Sequence, residues 1–388
     1  MSDLLIALAI WSCLLLSGLP LLYLLATTLA ALSPRLPYGP EDRFRRIVIL
    51  IPAHNESLLI SGTVKDALLQ NYPNGSSAVF VIADNCSDDT AELARQAGAR
   101  ILERQGNPGK GQGLHEALEL LMQEDWDAFV VMDADSRLHR DTLKSINAAL
   151  ADGSRALQIR YGVLNPTDSI RTYAMELSTA SFNALRPLGK SALGISAGIN
   201  GNGFCITRQT VKTVPYLAHS IVEDIEYHML LLKAGIRVDF LDQVWVKAQM
   251  PIGGRGSEVQ RVRWERGRVA TIRTYAPGLF RDLLQGQRRA LDGLIDVLMP
   301  PVSLVFLGLM PALACGNIAQ RSAALAGIAI LAGHYLLAAW RYGSFKGLLL
   351  LSAYIPWYVL WKSYIVIASM ITEKNLPWVR TDRHKHDD

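Results

Sequence analysis

Long apolar stretches at both ends of the chain flank a central region of mixed polarity. Residues 4–34 carry no charge, and the run 4–32 consists of about 29 mostly apolar residues. A helix needs about 20 apolar residues to cross the hydrocarbon core of a bilayer. The run is too long for the apolar core of a signal peptide and lacks its basic start. Residues 1–34 are therefore predicted to form an N-terminal transmembrane helix.

The central residues 45–280 show the pattern of a soluble α/β domain. Short runs rich in β-branched residues at 47–51, 78–82 and 128–132 predict buried strands. Helical patterns over 90–97 and 113–123 alternate with these runs. This alternation predicts a parallel sheet with helices on both faces. Such sheets bind ligands at the carboxyl ends of their strands, which is where polar residues follow here.

Residues 294–372 are apolar again, and residues 281–372 are predicted to form interfacial and transmembrane helices. The segments 297–315 and 323–340 approach spanning length, and Pro300, Pro301 and Pro311 predict kinks in the first. The segment 347–372 contains Pro356 and Lys362, so it either spans the membrane or lies at its surface. The aromatic neighbours of Lys362 favour the surface. The tail 373–388 is polar.

The charges that flank the first apolar run predict the orientation of the chain. Four arginines lie between residues 35 and 46, whereas only Asp3 precedes the run. The positive-inside rule then places the central domain in the cytoplasm. If 347–372 lies at the membrane surface, the basic tail 373–388 stays on the same side.

Composition narrows the classes of function. Only 19% of the residues are charged, below the roughly 25% of soluble domains. The 39 basic and 35 acidic residues leave a net charge of +4, so no nucleic-acid partner is predicted. The four cysteines show no C-x-x-C spacing, so neither a disulfide framework nor a zinc site is predicted.

Carboxylates follow two of the predicted strands. Asp84 ends the second strand, a position that also suits a simple Asx-turn. Asp133 and Asp135 come directly after the third strand, and two acids so close repel each other unless a cation lies between them. Their hard oxygen ligands suit Mg²⁺ or Mn²⁺. The alternative is a solvated turn in which Asp135 caps the next helix.

Two further clusters carry candidate chemistry. Glu223 and Asp224 begin a helical pattern, as acids at a helix N-terminus often do, or Asp224 acts as a general base. Gln260, Arg263 and Trp264 are spaced to share one helix face. On that face, arginine suits a diphosphate and tryptophan the floor of a sugar site. The alternative is a helix whose arginines bind lipid phosphates at the membrane surface.

The glycine-rich segment 106–111 is not a phosphate-binding P-loop, because Gly111 follows Lys110 where that motif requires serine or threonine. Lys110 can still reach a phosphate, or it is an ordinary surface lysine. No G-x-G-x-x-G motif follows the first strand, which disfavours a dinucleotide-binding fold. The segment 201–204 has the composition of a tight turn near the site.

The order of these features is more specific than any one of them. Residues 52–56 (Pro-Ala-His-Asn-Glu) are followed by Asp84, by Asp-x-Asp, by Glu-Asp and by Gln-x-x-Arg-Trp, with apolar segments on both sides. This series closely resembles the membrane-bound family 2 glycosyltransferases, which include the cellulose, hyaluronan, chitin and poly-N-acetylglucosamine synthases. The resemblance implies a GT-A-type, Rossmann-like α/β domain inserted between transmembrane helices. It also implies a nucleotide-sugar donor and inversion at the anomeric carbon.

The resemblance also implies roles for particular residues. Asp224 resembles the catalytic base, although Val222 replaces the threonine most common in that motif. Asp135 resembles the more direct ligand of a divalent cation, Mg²⁺ or Mn²⁺, with Asp133 beside it. The implied donor-binding residues are His54, Glu56, Asp84, Lys110, Asp133, Gln260, Arg263 and Trp264. The implied acceptor-facing residues are Gly201, Asn202, Gly203 and Glu223.

Two acceptor classes stay open at the level of sequence. The favoured function is transfer from a UDP-sugar to a growing polysaccharide of exopolysaccharide or capsule type. With so few spans, such an enzyme is expected to need a small membrane partner subunit or a homo-oligomer. The alternative is the addition of one sugar to a lipid acceptor, such as a polyprenyl phosphate or a glycolipid. The family layout predicts a bacterial inner membrane, with the catalytic domain cytoplasmic and in contact with membrane lipid.

A non-enzymatic scaffold or transporter is disfavoured. Transporters place polar residues within their membrane spans, whereas only His334 stands out in the apolar segments here. An inactive relative is expected to lose one of the acids, and every acid of the series is present.

Overall fold

The computed structural model describes residues 2–33, 38–218, 220, 222–250, 255–287, 289–343 and 345–371. Its helices are α1 (Ser2–Ala30), α2 (Ile60–Leu68), α3 (Thr90–Gln96), α4 (Lys110–Leu121), α5 (Thr142–Ala151), α6 (Ile170–Ala180), α7 (Arg186–Ala192), α8 (Arg208–Thr213), α9 (Glu223–Lys233), α10 (Arg255–Leu284), α11 (Arg289–Leu298), α12 (Val302–Cys315), α13 (Ile318–Tyr342) and α14 (Phe345–Ile371). A π-helical turn, Ser181–Leu185, joins α6 to α7. Its strands are β1 (Ile47–Ala53), β2 (Ser77–Asp84), β3 (Arg100–Arg104), β4 (Ala128–Val131), β5 (Ser136–Leu138), β6 (Ala156–Val163), β7 (Phe204–Thr207) and β8 (Val238–Ala248).

Among the described residues, the strands form one eight-stranded sheet in the order β3-β2-β1-β4-β7-β6-β8-β5. The first four strands are mutually parallel, as the β-branched runs predict. Strand β7 runs antiparallel to both β4 and β6, and β5 runs antiparallel to β8. The expectation of an all-parallel sheet was therefore wrong for the second half, which is mixed.

The sheet is buried on both faces, which explains why its central strands are continuously apolar. All four residues of β4 are buried, as are six of the seven residues of β1. One apolar cluster packs α2, α3 and α5 against one face. A second cluster packs α4, α8 and α9 against the other face. The α/β fold predicted from the alternation of strands and helices is confirmed.

Two helices of the described chain are long and apolar enough to cross a membrane, over Asp3–Ala30 and Ile318–Tyr342. The predicted span 297–315 is divided: α11 and α12 meet at a bend of 76° and pass the same test only as a pair. The break contains Pro300 and Pro301, which cannot continue the hydrogen-bond ladder of α11. Helix α14 continues through Pro356 as one helix and is not among these candidate spans.

The apolar helices pack against one another and against the α/β domain. An apolar cluster joins α1, α12 and α13. Close packing of α1 on α7 depends on Gly189, because a Cβ atom there would collide with the backbone of Thr27. A further cluster joins α9 to α10 and α11. The helix that begins with Glu223 and Asp224 therefore contacts α10 and α11 directly.

Candidate active site

A histidine side chain joins the ends of β1 and β2. The Nδ1 atom of His54 donates to the carbonyl oxygen of Asp84 across 2.7 Å. Asn55 and Asn85 follow these strands in the left-handed region, with φ of 55° and 50°. Asparagine tolerates this conformation better than most residues. The backbone amide of Glu56 donates to Thr90 Oγ1 across 2.8 Å, so His54 and Glu56, both implied to bind the donor, lie at this edge.

Asp84 belongs to a buried ion-pair network that sequence reasoning missed. Arg104, at the end of β3, pairs with Asp84 and makes two bonds of 3.0 Å to the Glu116 carboxylate. Its side chain is only 5% exposed. The same guanidinium donates to the Asn107 carbonyl, and the Gly109 amide donates to Asp84 Oδ2 across 2.8 Å. Arg104 therefore fixes both the Asp84 carboxylate and the glycine-rich segment 106–109.

Lys110 lies at the centre of the predicted acids. Its Nζ atom is 2.5 Å from Asp133 Oδ1, 2.5 Å from the Gly201 carbonyl oxygen and 4.0 Å from Glu223 Oε1. These charges raise the pKa of Lys110 above its usual value despite its burial. The ammonium therefore stays positively charged. It lies between Asp133, Gly201 and Glu223, which come from three separate parts of the chain. Lys110 is not an ordinary surface lysine.

Asp133 is also held through its backbone. Its amide donates to Asn202 Oδ1 across 3.1 Å, and the Asn202 amide group donates to Ser136 Oγ across 2.8 Å. Ser136 in turn donates to Asp135 Oδ1 across 3.2 Å. A turn that includes Gly201 and Gly203, both with positive φ, therefore lies against the Asp133–Asp135 segment.

The two acids suit a cation that is shared with a phosphate ligand. Within the described residues, no group of three or more His, Cys, Asp and Glu side chains could hold a metal ion. Mg²⁺ commonly binds through one or two carboxylates and completes its shell with water and substrate phosphates. The Asp133 and Asp135 carboxylates offer the hard oxygens that this arrangement requires.

The Glu223–Asp224 pair lies across from Asp133. Burial raises the pKa of Glu223 to about 7; the Lys110 ammonium opposes this rise, and the Asp224 charge adds to it. Burial also raises the pKa of Asp224, against the effect of Lys110. A Cβ atom on Gly201 would lie 3.1 Å from Asp224 Oδ2, so the glycine leaves room for this carboxylate. A desolvated carboxylate with a raised pKa is suited to accept a proton.

Helix α10 packs against the same segment. A Cβ atom on Gly267 would lie 2.6 Å from Cγ1 of Val222, the residue before Glu223. The backbone of α10 includes the predicted residues Gln260, Arg263 and Trp264. The side chains of these three lie outside the described part of the chain, so their roles stay predictions.

The structure brings the other predicted residues to one edge of the sheet. His54, Glu56 and Asp84 lie at the ends of β1 and β2, while Lys110, Asp133 and the Glu223–Asp224 pair lie beyond β4. An ammonium group is suited to bind a phosphate and a desolvated carboxylate to accept a proton, and the two kinds of group lie side by side here. In the sequence, only its position at the end of a strand points to Arg104. That position alone does not distinguish a buried arginine from a solvated one.

Residues 45–267 match a family model described as glycosyltransferase like family 2. A beta-monoglucosyldiacylglycerol synthase from Trichormus variabilis is 29% identical over 175 residues, 43% of this chain and 36% of that one. The UDP-forming cellulose synthase catalytic subunit of Pseudomonas fluorescens is 26% identical over 264 residues, 64% of this chain and 34% of that one. The chain thus spans about a third of the length of these two relatives.

The solved structures support the same fold. The mannosyltransferase PcManGT from Pyrobaculum calidifontis, solved with GDP-Man and Mn²⁺, has a TM-score of 0.53 and 20% identity. The alignment covers 88% of this chain and 98% of that one. This likeness establishes a GT-A-like α/β fold.

Proposed function

The chain belongs to glycosyltransferase-like family 2, and we propose that it transfers a sugar from a UDP-sugar to an acceptor hydroxyl with inversion at the anomeric carbon. The observation that carries the proposal is the position of Lys110. Its ammonium lies 2.5 Å from Asp133 and 4.0 Å from Glu223, so the donor side and the acceptor side of the site meet at one cation.

The donor occupies the edge formed by β1, β2 and β4. His54 and Asp84 lie where the nucleoside is expected, and Arg104 holds the Asp84 carboxylate in place. Lys110 lies between this region and Asp133, which suits contact with the diphosphate. Arg263 and Trp264 complete the donor site, as the family motif implies.

Asp135, together with Asp133, would hold a divalent cation. When bound, Mg²⁺ or Mn²⁺ would neutralise the charge that develops on the departing nucleoside diphosphate. The hydrogen bond from Ser136 and the tie from Asn202 orient this acidic segment.

Asp224 acts as the general base. Its carboxylate takes the proton of the acceptor hydroxyl while that oxygen attacks the anomeric carbon opposite the leaving diphosphate. Because the reaction is a single displacement, the new glycosidic bond has the inverted configuration. Gly201 lines the acceptor side, since its missing side chain leaves the Asp224 carboxylate accessible.

We propose a growing polysaccharide as the acceptor, with the catalytic domain on the cytoplasmic side of a bacterial inner membrane. Similarity to a cellulose synthase catalytic subunit supports this acceptor. A lipid acceptor is the second candidate. It is supported by similarity to a beta-monoglucosyldiacylglycerol synthase and by the two or three candidate spans of the described chain.

The two acceptors differ in their products. The full chain in nanodiscs would be given a panel of radiolabelled nucleotide sugars with Mg²⁺ or Mn²⁺, with and without membrane lipid extract. The proposal predicts nucleoside diphosphate release and a product of high molecular weight. A short product that partitions into organic solvent would support the lipid acceptor instead. If no donor releases nucleoside diphosphate even when lipid extract and co-expressed membrane partner subunits are present, both acceptor proposals are contradicted.

A further inference from the structure

A second buried charge cluster lies between α7 and α11, outside the proposed donor and acceptor sites. Lys190 is completely buried, and its Nζ atom lies 2.5 Å from Asp296 and 3.3 Å from Asp292. Arg186 lies 3.9 Å from Asp296. Two cations therefore balance two carboxylates where α11 meets the α/β domain. Burying charges costs free energy even when they are paired, so such a cluster is weak evidence for a purely stabilising role.

The cluster holds one end of the segment that precedes β7. The backbone amide of Ser196 donates to Asp292 Oδ2 across 3.0 Å. The Ser196 hydroxyl accepts from the Val238 amide across 3.0 Å and lies 2.9 Å from His228 Nε2. The segment 196–201 therefore begins at a residue, Ser196, that is held by Asp292, Val238 and His228.

The same segment ends at the proposed base. Gly201, five residues after Ser196, lies against the Asp224 carboxylate, and its carbonyl oxygen accepts from Lys110 across 2.5 Å. Between these points, Gly198 has a φ of +92° and passes close to His228 and Asp296. The segment thus connects the cluster to the reacting groups.

Helix α9 explains why both ends of the segment lie along one surface. Asp224 and His228 are four residues apart and therefore share one face of α9. His228 faces Ser196, and Asp224 faces Gly201. Burial lowers the pKa of His228 to about 4, so its ring is neutral at pH 7. The ring pairs with the Ser196 hydroxyl through Nε2.

We infer that Ser196, His228 and the Lys190–Asp292 pair are positioning residues for Asp224, acting through the segment 196–201. Helix α11 is the first half of the bent α11–α12 pair, so the base is aligned by the part of the chain that adjoins the apolar helices. This inference deepens the proposed function and rests on it. Ser196 acts through the segment and touches neither donor nor acceptor.

Ser196→Ala tests the inference, because it removes the link to α9 without adding bulk. We expect the turnover number to fall on the order of tenfold, while the Kd for the donor changes less than about twofold. Hydrogen–deuterium exchange of residues 197–203 is expected to become faster, which can be read without any assay of activity. Ser154→Ala is the matched control, since Ser154 is also buried and donates to a buried carboxylate, Asp239, at 2.8 Å.

The outcomes separate the two proposals. If Ser196→Ala has the same turnover number as Ser154→Ala, and the same hydrogen–deuterium exchange of residues 197–203, the role of Ser196 is structural. That result would overturn the inference. If Ser196→Ala does not fold, the pair Lys190→Met/Asp292→Asn, which removes one charge of each sign, must show the same two effects. If the wild-type chain turns over no donor even with lipid and co-expressed membrane subunits present, the proposed function fails. The exchange measurement alone then decides whether the segment is held as inferred.

Discussion

Gly267 of α10 lies directly against Val222, the residue that precedes the Glu223–Asp224 pair. A Cβ atom at position 267 would be 2.6 Å from Cγ1 of Val222, a distance that real Cβ atoms do not adopt. The helix that carries the Gln-x-x-Arg-Trp motif is therefore fitted closely to the segment that carries the proposed base.

The first prediction follows from this contact. Gly267→Ala forces α10 and residues 222–224 apart, and we expect turnover to fall on the order of tenfold, since small displacements at a site cost rate. Gly278→Ala is the control on the same helix, because no atom lies within 4 Å of a Cβ atom there. The control is expected to keep its activity. Equal activities for the two variants would mean that α10 does not position the base.

The second prediction concerns Arg104. Arg104→Met leaves the Asp84 and Glu116 carboxylates without their shared cation, and breaking such a buried pair costs about 3–5 kcal/mol of unfolding free energy. Donor affinity should fall as well, because Asp84 loses its fixed position. Calorimetry would measure both quantities.

Arg100→Met provides the comparison for Arg104. Its ion pair with Glu124 is substantially exposed, so its loss is expected to change the stability by about 0–1 kcal/mol. Similar losses for both variants would argue against a special role for the buried network.

The third prediction concerns pH and stability. Because the pKa of Glu223 is raised to about 7 in the folded protein, its protonated form is favoured by folding. Its contribution to stability is complete below the unfolded pKa of about 4.5 and is lost as the pH rises to about 7. Glu223→Gln should therefore flatten the decrease in unfolding free energy between about pH 4.5 and 7. Denaturant titrations at several pH values would measure this slope.

The fourth prediction concerns pH and rate. The base must be deprotonated, so activity should rise with pH through an apparent pKa above the ordinary range of aspartate. Lys110 lowers the pKa values of both Glu223 and Asp224. Lys110→Met should therefore move the acidic limb of the pH–rate profile to higher pH. Lys144→Met, which removes an exposed lysine of α5, should leave the limb unchanged.

The parallel half of the sheet could be predicted because its strands are continuous β-branched runs. Strands β6 and β7 also belong to the sheet, but they are not continuous β-branched runs. Gln158 and Arg160 interrupt the run in β6, and Cys205 interrupts it in β7. Helix α4 begins at Lys110, three residues before its predicted start at Gly113. The glycines that obscured the start are needed for packing, since a Cβ atom on Gly113 would lie 3.0 Å from Ile82 Cγ2.

The acids of the site could be predicted because they follow strands in a characteristic order. Their partners could not, because those contacts depend on which strands are neighbours. Arg104 reaches Asp84 only because β3 lies beside β2. Likewise, Ser196 reaches His228 only because residues 196–201 run along α9, and neither residue stands out in the sequence.

We propose Asp224 as the base of an inverting sugar transfer. Its most direct test is nucleoside diphosphate release by the wild-type chain and by Asp224→Asn in nanodiscs, beside donor Kd values for both. We expect the turnover of Asp224→Asn to fall by roughly 10²–10⁴-fold with little change in donor Kd. Asp125→Asn, at a highly exposed position, should match the wild type. Turnover by Asp224→Asn within about tenfold of the wild type would mean that Asp224 is not the base.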